Sequence, residues 1–154
     1  MRIRKAKLNE SKEISKLRRE TLKKINICDY TSNQLAILIK TNSFKEIENK
    51  IHDRDMFCLI DNGEIKGVVD LRDNQIGGLF VRKDLIGKGY GKNLLVFIEN
   101  YAKKLRYKNT ILYSSKSAQS FYEKYGYAVV ERGFGFIKGV KFSKIKMEKK
   151  LKWY

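Results

Sequence analysis

The sequence predicts a mixed α/β domain with a central, mostly antiparallel sheet flanked by helices. Two apolar runs, 56–60 and 65–72, are separated by Asp61-Asn62-Gly63-Glu64, a turn typical of an antiparallel hairpin. A further strand at 75–81 is followed by a helical pattern and then by a strand at 110–113. A strand, helix and strand in that order imply a parallel pair joined by a right-handed crossover. One hairpin together with one crossover indicates a mixed sheet.

The other elements follow from apolar spacing and turn residues. A first strand is expected around Ile3, and a helix over 9–26 has Ile14, Leu17, Thr21 and Ile25 at helical spacing. Ser43 begins another helix, with Glu46 three residues later as in a capping box. The predicted helices are 9–26, 33–40, 43–52, 92–105 and 117–125, and the last two strands are 127–132 and 142–148, joined by the connection 133–137.

Length and composition favour one domain over residues 1–154. No charged segment followed by a long apolar run is present, so we expect neither a signal peptide nor a membrane span. Cys28 and Cys58 form no C-x-x-C pair and are interpreted as reduced thiols of a cytoplasmic protein. His52 has no nearby His or Cys, so we expect a solvated helix position and no metal site.

A glycine loop provides the first functional signal. The predicted strand 75–81 leads to Ile86-Gly87-Lys88-Gly89-Tyr90-Gly91-Lys92, and a helical pattern follows. Bare backbone N–H groups at the start of a helix bind phosphate. The spacing matches neither the G-x-x-x-x-G-K-[ST] P-loop nor the G-x-G-x-x-G dinucleotide pattern. The loop therefore predicts a pyrophosphate-bearing ligand that is held by backbone groups.

A second motif lies about one strand beyond the glycine helix, at Ser117-Ala118-Gln119-Ser120-Phe121-Tyr122-Glu123-Lys124-Tyr125-Gly126-Tyr127. Together the two segments resemble motifs A and B of the GNAT (Gcn5-related N-acetyltransferase) superfamily, R/Q-x-x-G-x-G/A and A-x-x-F-Y-E-K-x-G-F/Y. The resemblance implies the GNAT fold, with a splayed parallel strand pair that forms a coenzyme A cleft. Two positions depart from the pattern: Ile86 replaces the R/Q of motif A, and Ser115 replaces the Asn that often precedes motif B.

The resemblance also implies an activity, the transfer of an acetyl group from acetyl-CoA to a primary amine in a ternary complex. Tyr122 occupies the position of the general acid that protonates the departing thiolate. The backbone near Leu79 or Phe80 would bind the oxyanion, and Gly77-Gly78 would leave room for the thioester and the amine. The expected cofactor-binding residues are Leu79, Phe80, Val81, Gly87, Lys88, Gly89, Tyr90, Gly91, Lys92 and Ser115.

The general base and the acceptor are less defined. Asp70, Asp73 and Glu131 are expected to be solvated, and none is assigned as the base. Two segments are predicted to border the acceptor, 27–30 with Tyr30 and 133–137 with Phe134 and Phe136. Glycines in the second segment permit movement over a ligand. The alternative for both phenylalanines is a sheet edge or a homodimer contact.

The net charge of +17, from 34 Lys and Arg against 17 Asp and Glu, has two explanations: lysines spread over solvated faces, or an anionic partner. The phosphates of coenzyme A are one such partner, and nucleic acid is another. We expect nucleic acid to be the less favoured one, because the basic residues occur along the entire chain. A nucleic-acid-binding module, or a coenzyme A-binding protein without catalysis, remains the alternative to an enzyme.

Overall fold

The computed structural model describes residues 1–25 and 28–153. Seven strands and five helices make up this part of the chain. The strands are β1 (Arg2–Lys5), β2 (Asp55–Asp61), β3 (Glu64–Arg72), β4 (Gln75–Val81), β5 (Asn109–Ser114), β6 (Ala128–Ile137) and β7 (Val140–Lys150). The helices are α1 (Ser11–Ile25), α2 (Ser32–Lys40), α3 (Phe44–Asp53), α4 (Tyr90–Lys104) and α5 (Gln119–Lys124).

The strands form one sheet in the order β1-β2-β3-β4-β5-β7-β6. Every neighbouring pair is antiparallel except β4 and β5, which are parallel. This confirms the predicted mixed fold. The predicted hairpin joins β2 and β3, and Asn62 and Gly63 at its turn both have positive φ, 53° and 74°. Such turns match the twist of the strands that they join.

Helices cover both faces of the sheet. On one face Leu94, Leu95 and Ile98 of α4 are fully buried against the sheet, and on the other Ile14 of α1 and Ile47 of α3 are. Fully burying one such aliphatic side chain contributes about 1.5–3 kcal/mol. Successive side chains of a strand point to opposite faces of the sheet, so the same strands contribute to the hydrophobic core on each face. The sheet is therefore fixed from both sides around β3 and β4.

The predicted boundaries differ from the structure at the start of α4 and along the β6–β7 hairpin. Helix α4 begins at Tyr90, two residues early, because Gly89 takes the left-handed conformation and caps it. Residues 133–137 belong to β6 and are not a connection, so the prediction of a flexible segment there is wrong. Residues 133–137 pair with β7 as far as Val140. The turn between the two strands is formed by Lys138 and Gly139, which have φ of 49° and 78°.

The first helix is confirmed over Ser11–Ile25, and its predicted end at Asn26 lies outside the described residues. Ser43 caps α3 as predicted by accepting a hydrogen bond from the Glu46 N–H. Cys28 and Cys58 are free, and burial raises the pKa of the Cys58 thiol to about 12. No helix within the described ranges is long and apolar enough to cross a membrane.

Candidate active site

A cleft opens where β4 and β5 part. The two strands are paired at Gln75–Ile111 and Ile76–Leu112, and beyond these positions they diverge. The cleft has a volume of about 700 Å³ and is lined by β4, the glycine loop, the start of α4, the end of β5 and α5. The carboxyl ends of parallel strands are a common place for ligands in α/β proteins. The sheet topology thus creates a cleft at the predicted position.

The glycine loop forms one end of this cleft. Gly87 and Gly89 have φ of 82° and 90°, a region that side chains disfavour, and open space surrounds both Cα atoms. The N–H of Asn93 donates to the Gly89 carbonyl at 3.2 Å and closes the first turn of α4. The N–H groups before Asn93 have no partner within the helix, so this end of α4 can bind an anion.

Most of the predicted cofactor-binding residues line the cleft. They are Leu79, Phe80, Val81, Gly87, Gly89, Gly91, Lys92 and Ser115. Lys88 and Tyr90 are not part of the lining. Lys88 is exposed, and the Tyr90 hydroxyl donates to Asp61 Oδ2 at 2.8 Å, which turns this side chain towards the β2–β3 hairpin. Among the residues of the glycine loop, it is mainly the backbone that faces the cleft.

The backbone of β4 presents alternate residues to the cleft. The Arg82 N–H donates to the Lys66 carbonyl of β3 at 2.9 Å, so the Val81 carbonyl faces away from β3. The Thr21 hydroxyl of α1 donates to this carbonyl at 3.0 Å. The direction of the backbone groups alternates along a strand. The N–H and carbonyl of Leu79 therefore also point away from β3, and those of Phe80 point towards it. Sequence reasoning missed Thr21 as a cleft residue, because its helical spacing indicated only a core position.

Tyr122 of α5 lies at the wall of the cleft. Its side chain is 8% exposed and packs edge-on against the rings of Phe121 and Tyr127, with centroid separations of 5.2 and 5.8 Å. No described residue accepts a hydrogen bond from its hydroxyl. Burial alone raises the pKa of Tyr122 to about 12, so the phenol keeps its proton at neutral pH. The hydroxyl is therefore available to a ligand in the cleft.

The two glycines of β4 lie at a bulge beside charged side chains. A register shift opposite Asp70 confirms a bulge at this point. A Cβ on Gly77 would collide with Arg54 and Asp70, and one on Gly78 would collide with Arg18. Charged side chains thus fill the space where side chains on Gly77 and Gly78 would lie, while both glycines also line the cleft. The expectation of room beside them for a thioester and an amine stays a prediction.

The ion cluster of Asp70, Arg18 and Arg54 corrects the interpretation of Asp70, which the sequence predicted to be solvated. Its carboxylate is 1% exposed and lies 3.2 Å from Arg54 Nη1 and 3.9 Å from Arg18 Nη1. The Arg18 guanidinium also stacks 4.4 Å from the ring centre of Phe80. Desolvation lowers the pKa of Arg18. Because two cations hold Asp70, it is a poor candidate for a general base.

The predicted acceptor residues are separated by the structure. Tyr30 lines the cleft, and its ring meets Phe142 edge-on at 6.2 Å. Burial raises the pKa of Tyr30, with a contribution from Asp29. Phe134 and Phe136 are 68% and 70% exposed and do not line the cleft. Ile27, at the start of the other predicted segment, lies outside the described residues.

A family model described as "Acetyltransferase (GNAT) domain" matches residues 26–151, more than half of the chain. The chain belongs to the GNAT acetyltransferase family. No curated protein sequence matches this GNAT chain significantly.

Solved structures show the same fold. A GCN5-related N-acetyltransferase from Rhodopseudomonas palustris is 18% identical with a TM-score of 0.92, covering 97% of this chain and 95% of that one. PaiA N-acetyltransferase from Thermoplasma acidophilum, in complex with coenzyme A, is 20% identical with a TM-score of 0.80 and coverages of 97% and 98%. An aminoglycoside 6'-N-acetyltransferase complexed with coenzyme A is 16% identical with a TM-score of 0.73 and coverages of 100% and 99%.

Proposed function

We propose that this chain is an N-acetyltransferase of one domain, residues 1–154, that acts in the cytoplasm. It transfers the acetyl group of acetyl-CoA to a primary amine by direct attack in a ternary complex. The observation that carries the proposal is the position of the Tyr122 hydroxyl. It lies without a protein partner among the described residues, in a cleft that also contains a free strand edge and a glycine-capped helix start.

The binding residues follow from the geometry of the cleft. The N–H groups at the start of α4 bind the pyrophosphate, and Lys92 at the same end adds positive charge. The carbonyl of Leu79 and the N–H of Val81 pair with the pantetheine arm. Ser115, on the opposite wall, supplies a hydroxyl. The open space around Gly87 and Gly89 fits this arrangement, because a ligand can approach the backbone there closely.

The chemistry uses one backbone donor and one side-chain acid. The Leu79 N–H stabilises the oxyanion that forms when the amine attacks the acetyl carbonyl. The Tyr122 hydroxyl donates its proton to the sulfur as the C–S bond breaks. Asp70 is held by two arginines, so we assign no side chain as the base, and the amine loses its proton to solvent water. This assignment leaves the acceptor amine to set the pH dependence of the rate.

Ligand-dependent thermal stability tests the cofactor part of the proposal. Acetyl-CoA is expected to raise the melting temperature much more than ATP or NAD at equal concentration, because a ligand stabilises the fold that binds it. Gly89→Val is expected to abolish the shift by closing the backbone to the pyrophosphate. Gly63→Val is the matched control, since Gly63 has a similar φ of 74° and open space but lies in the β2–β3 turn. Equal loss in both variants would contradict the assignment of the loop.

Thiol release tests the catalytic part. A panel of primary amines, from small polyamines to peptides with a free N-terminus, is incubated with acetyl-CoA, and free coenzyme A is measured. Release that depends on both the enzyme and the amine supports the transferase. A large acetyl-CoA shift with no release on any amine would instead identify a coenzyme A-binding protein without catalysis.

A further inference from the structure

The outer end of the β6–β7 hairpin has no part in the acetyltransferase cleft. Arg132, Phe134 and Phe136 alternate along β6, so their side chains share one face of the strand. Both phenylalanine rings are about two-thirds exposed or more, at 68% and 70%. Residues two apart in a strand are about 7 Å apart. The hairpin thus presents two neighbouring aromatic rings to solvent, a surface that we call the Phe platform.

The sequence of this strand, Arg132-Gly133-Phe134-Gly135-Phe136-Ile137, follows a pattern with a known physical purpose. The run K/R-G-F/Y-G/A-F-V occurs in RNA-recognition sheets, where the two aromatic residues at these positions stack on bases. Ile137 replaces Val, and the aromatic residue that ends the full pattern is replaced by Gly139 in the turn. The match extends from sequence to geometry, because both rings lie on a strand, on one face, and exposed.

Two lysines lie on the same hairpin as the Phe platform. Lys141, opposite Phe136 on β7, has its ammonium group 4.0 Å from the ring centre of Phe134. Lys138 lies in the adjoining turn. Exposed rings flanked by flexible lysines are the combination that binds single strands, since the bases stack and the phosphates pair with the lysines. The net charge of +17 opposes the approach of a second copy of this chain and favours a polyanion.

We propose that the Phe platform binds single-stranded nucleic acid. Two successive bases stack on Phe134 and Phe136, and Lys138 and Lys141 neutralise the adjoining phosphates. The spread of basic residues along the chain argued against such a site at the level of sequence. The β6–β7 hairpin, which the sequence predicted to be shorter, brings Lys141 over the Phe134 ring and opposite Phe136.

Fluorescence anisotropy with the full chain tests the proposal. The probes are end-labelled eight-nucleotide oligouridine and oligothymidine, a duplex RNA of the same length, and a labelled polyglutamate of equal charge. Phe134→Ala/Phe136→Ala is compared with Phe44→Ala, an exposed phenylalanine at the start of α3 that also has a lysine over its ring. We expect the double variant to bind both single-stranded probes about tenfold more weakly or worse, and Phe44→Ala to leave both affinities unchanged. Tighter binding of oligouridine than oligothymidine would assign the site to RNA, and the reverse order to DNA.

Salt dependence tests the lysines. Lys138→Ser/Lys141→Ser is expected to reduce the slope of log affinity against log salt for oligouridine by about 1.4, from about 0.7 per phosphate contact. The acetyl-CoA thermal shift, which should persist in every variant, reports that each one is folded. Single-strand affinity of the double phenylalanine variant within twofold of wild type would overturn the proposal. An equal loss of affinity for polyglutamate in that variant would also overturn it. So would a variant that differs from wild type only in self-association, measured by sedimentation velocity.

Discussion

Two tyrosines of one aromatic cluster should differ in what the loss of their hydroxyl affects. Removal at Tyr122 should lower the turnover number, and removal at Tyr127 should lower the stability of the fold. Tyr122 and Tyr127 are both buried, and their ring centres lie 5.8 Å apart. The Tyr127 hydroxyl donates to Glu99 Oε2 at 3.0 Å and lies 2.7 Å from Thr110 Oγ1. No described residue accepts from the Tyr122 hydroxyl, and Tyr122 lines the cleft. Tyr122→Phe and Tyr127→Phe are therefore matched substitutions with different expected effects.

The magnitudes follow from these contacts. Tyr127→Phe removes a buried hydrogen bond to a charged group, which costs about 1.5–3 kcal/mol. For a domain of this size the melting temperature should fall by roughly 3–12 °C. Tyr122→Phe breaks no hydrogen bond among the described residues, so its stability should stay within about 1 kcal/mol of wild type. Its turnover number should fall by roughly ten- to a thousand-fold, because the departing thiolate loses its acid.

The assays are thermal melting without ligand and thiol release at saturating acetyl-CoA on any accepted amine. The acetyl-CoA thermal shift should be similar in wild type and Tyr122→Phe, which separates chemistry from binding. A turnover number of Tyr122→Phe within twofold of wild type would reduce this tyrosine to a packing residue. An equal loss of turnover in Tyr127→Phe would show that the activity depends on the shape of the aromatic cluster rather than on one proton.

Two further outcomes are expected. Asp70→Ala should lower the free energy of unfolding by about 3–5 kcal/mol in urea titration, because it leaves the buried Arg18 and the partly buried Arg54 without their carboxylate. The exposed pair of Arg82 with Asp84 gives the control, since Asp84→Ala should hardly move the midpoint. With an acceptor amine whose pKa is about 8, kcat/KM should rise with pH and then stay level to about pH 10, because Tyr122 acts protonated and its pKa is raised to about 12. A fall in rate between pH 8 and 9 would mean that the acid titrates there and is not Tyr122.

The sequence predicted the elements that local chemistry determines. The Asn62-Gly63 turn, strand 75–81 and the glycine loop all depend on residues within a few positions of one another, and all three are confirmed. The motif resemblance gave the splayed strand pair, which no short stretch of sequence encodes.

Long-range placement accounts for what the sequence could not predict. Asp70 lies in an alternating strand and gave no sign that Arg18, more than fifty residues earlier, would meet it beneath the bulge. Gly133 and Gly135 indicated a flexible connection, yet pairing with β7 overrides the weak strand propensity of glycine. The exposure of Phe134 and Phe136 likewise depends on the place of β6 at the edge of the sheet.

The short contact between β4 and β5 has a mechanical consequence. The sheet consists of one block of strands, β1 to β4, and a second block, β5, β7 and β6. The two blocks are paired at only two positions, Gln75–Ile111 and Ile76–Leu112, which form the seam between them. Beyond that seam the blocks are joined by the shared core under α4, and a long ligand in the cleft touches both. Acetyl-CoA would therefore act as a crosslink. Amide hydrogen exchange should protect the two blocks independently in the free protein and as one cooperative unit when the ligand is bound.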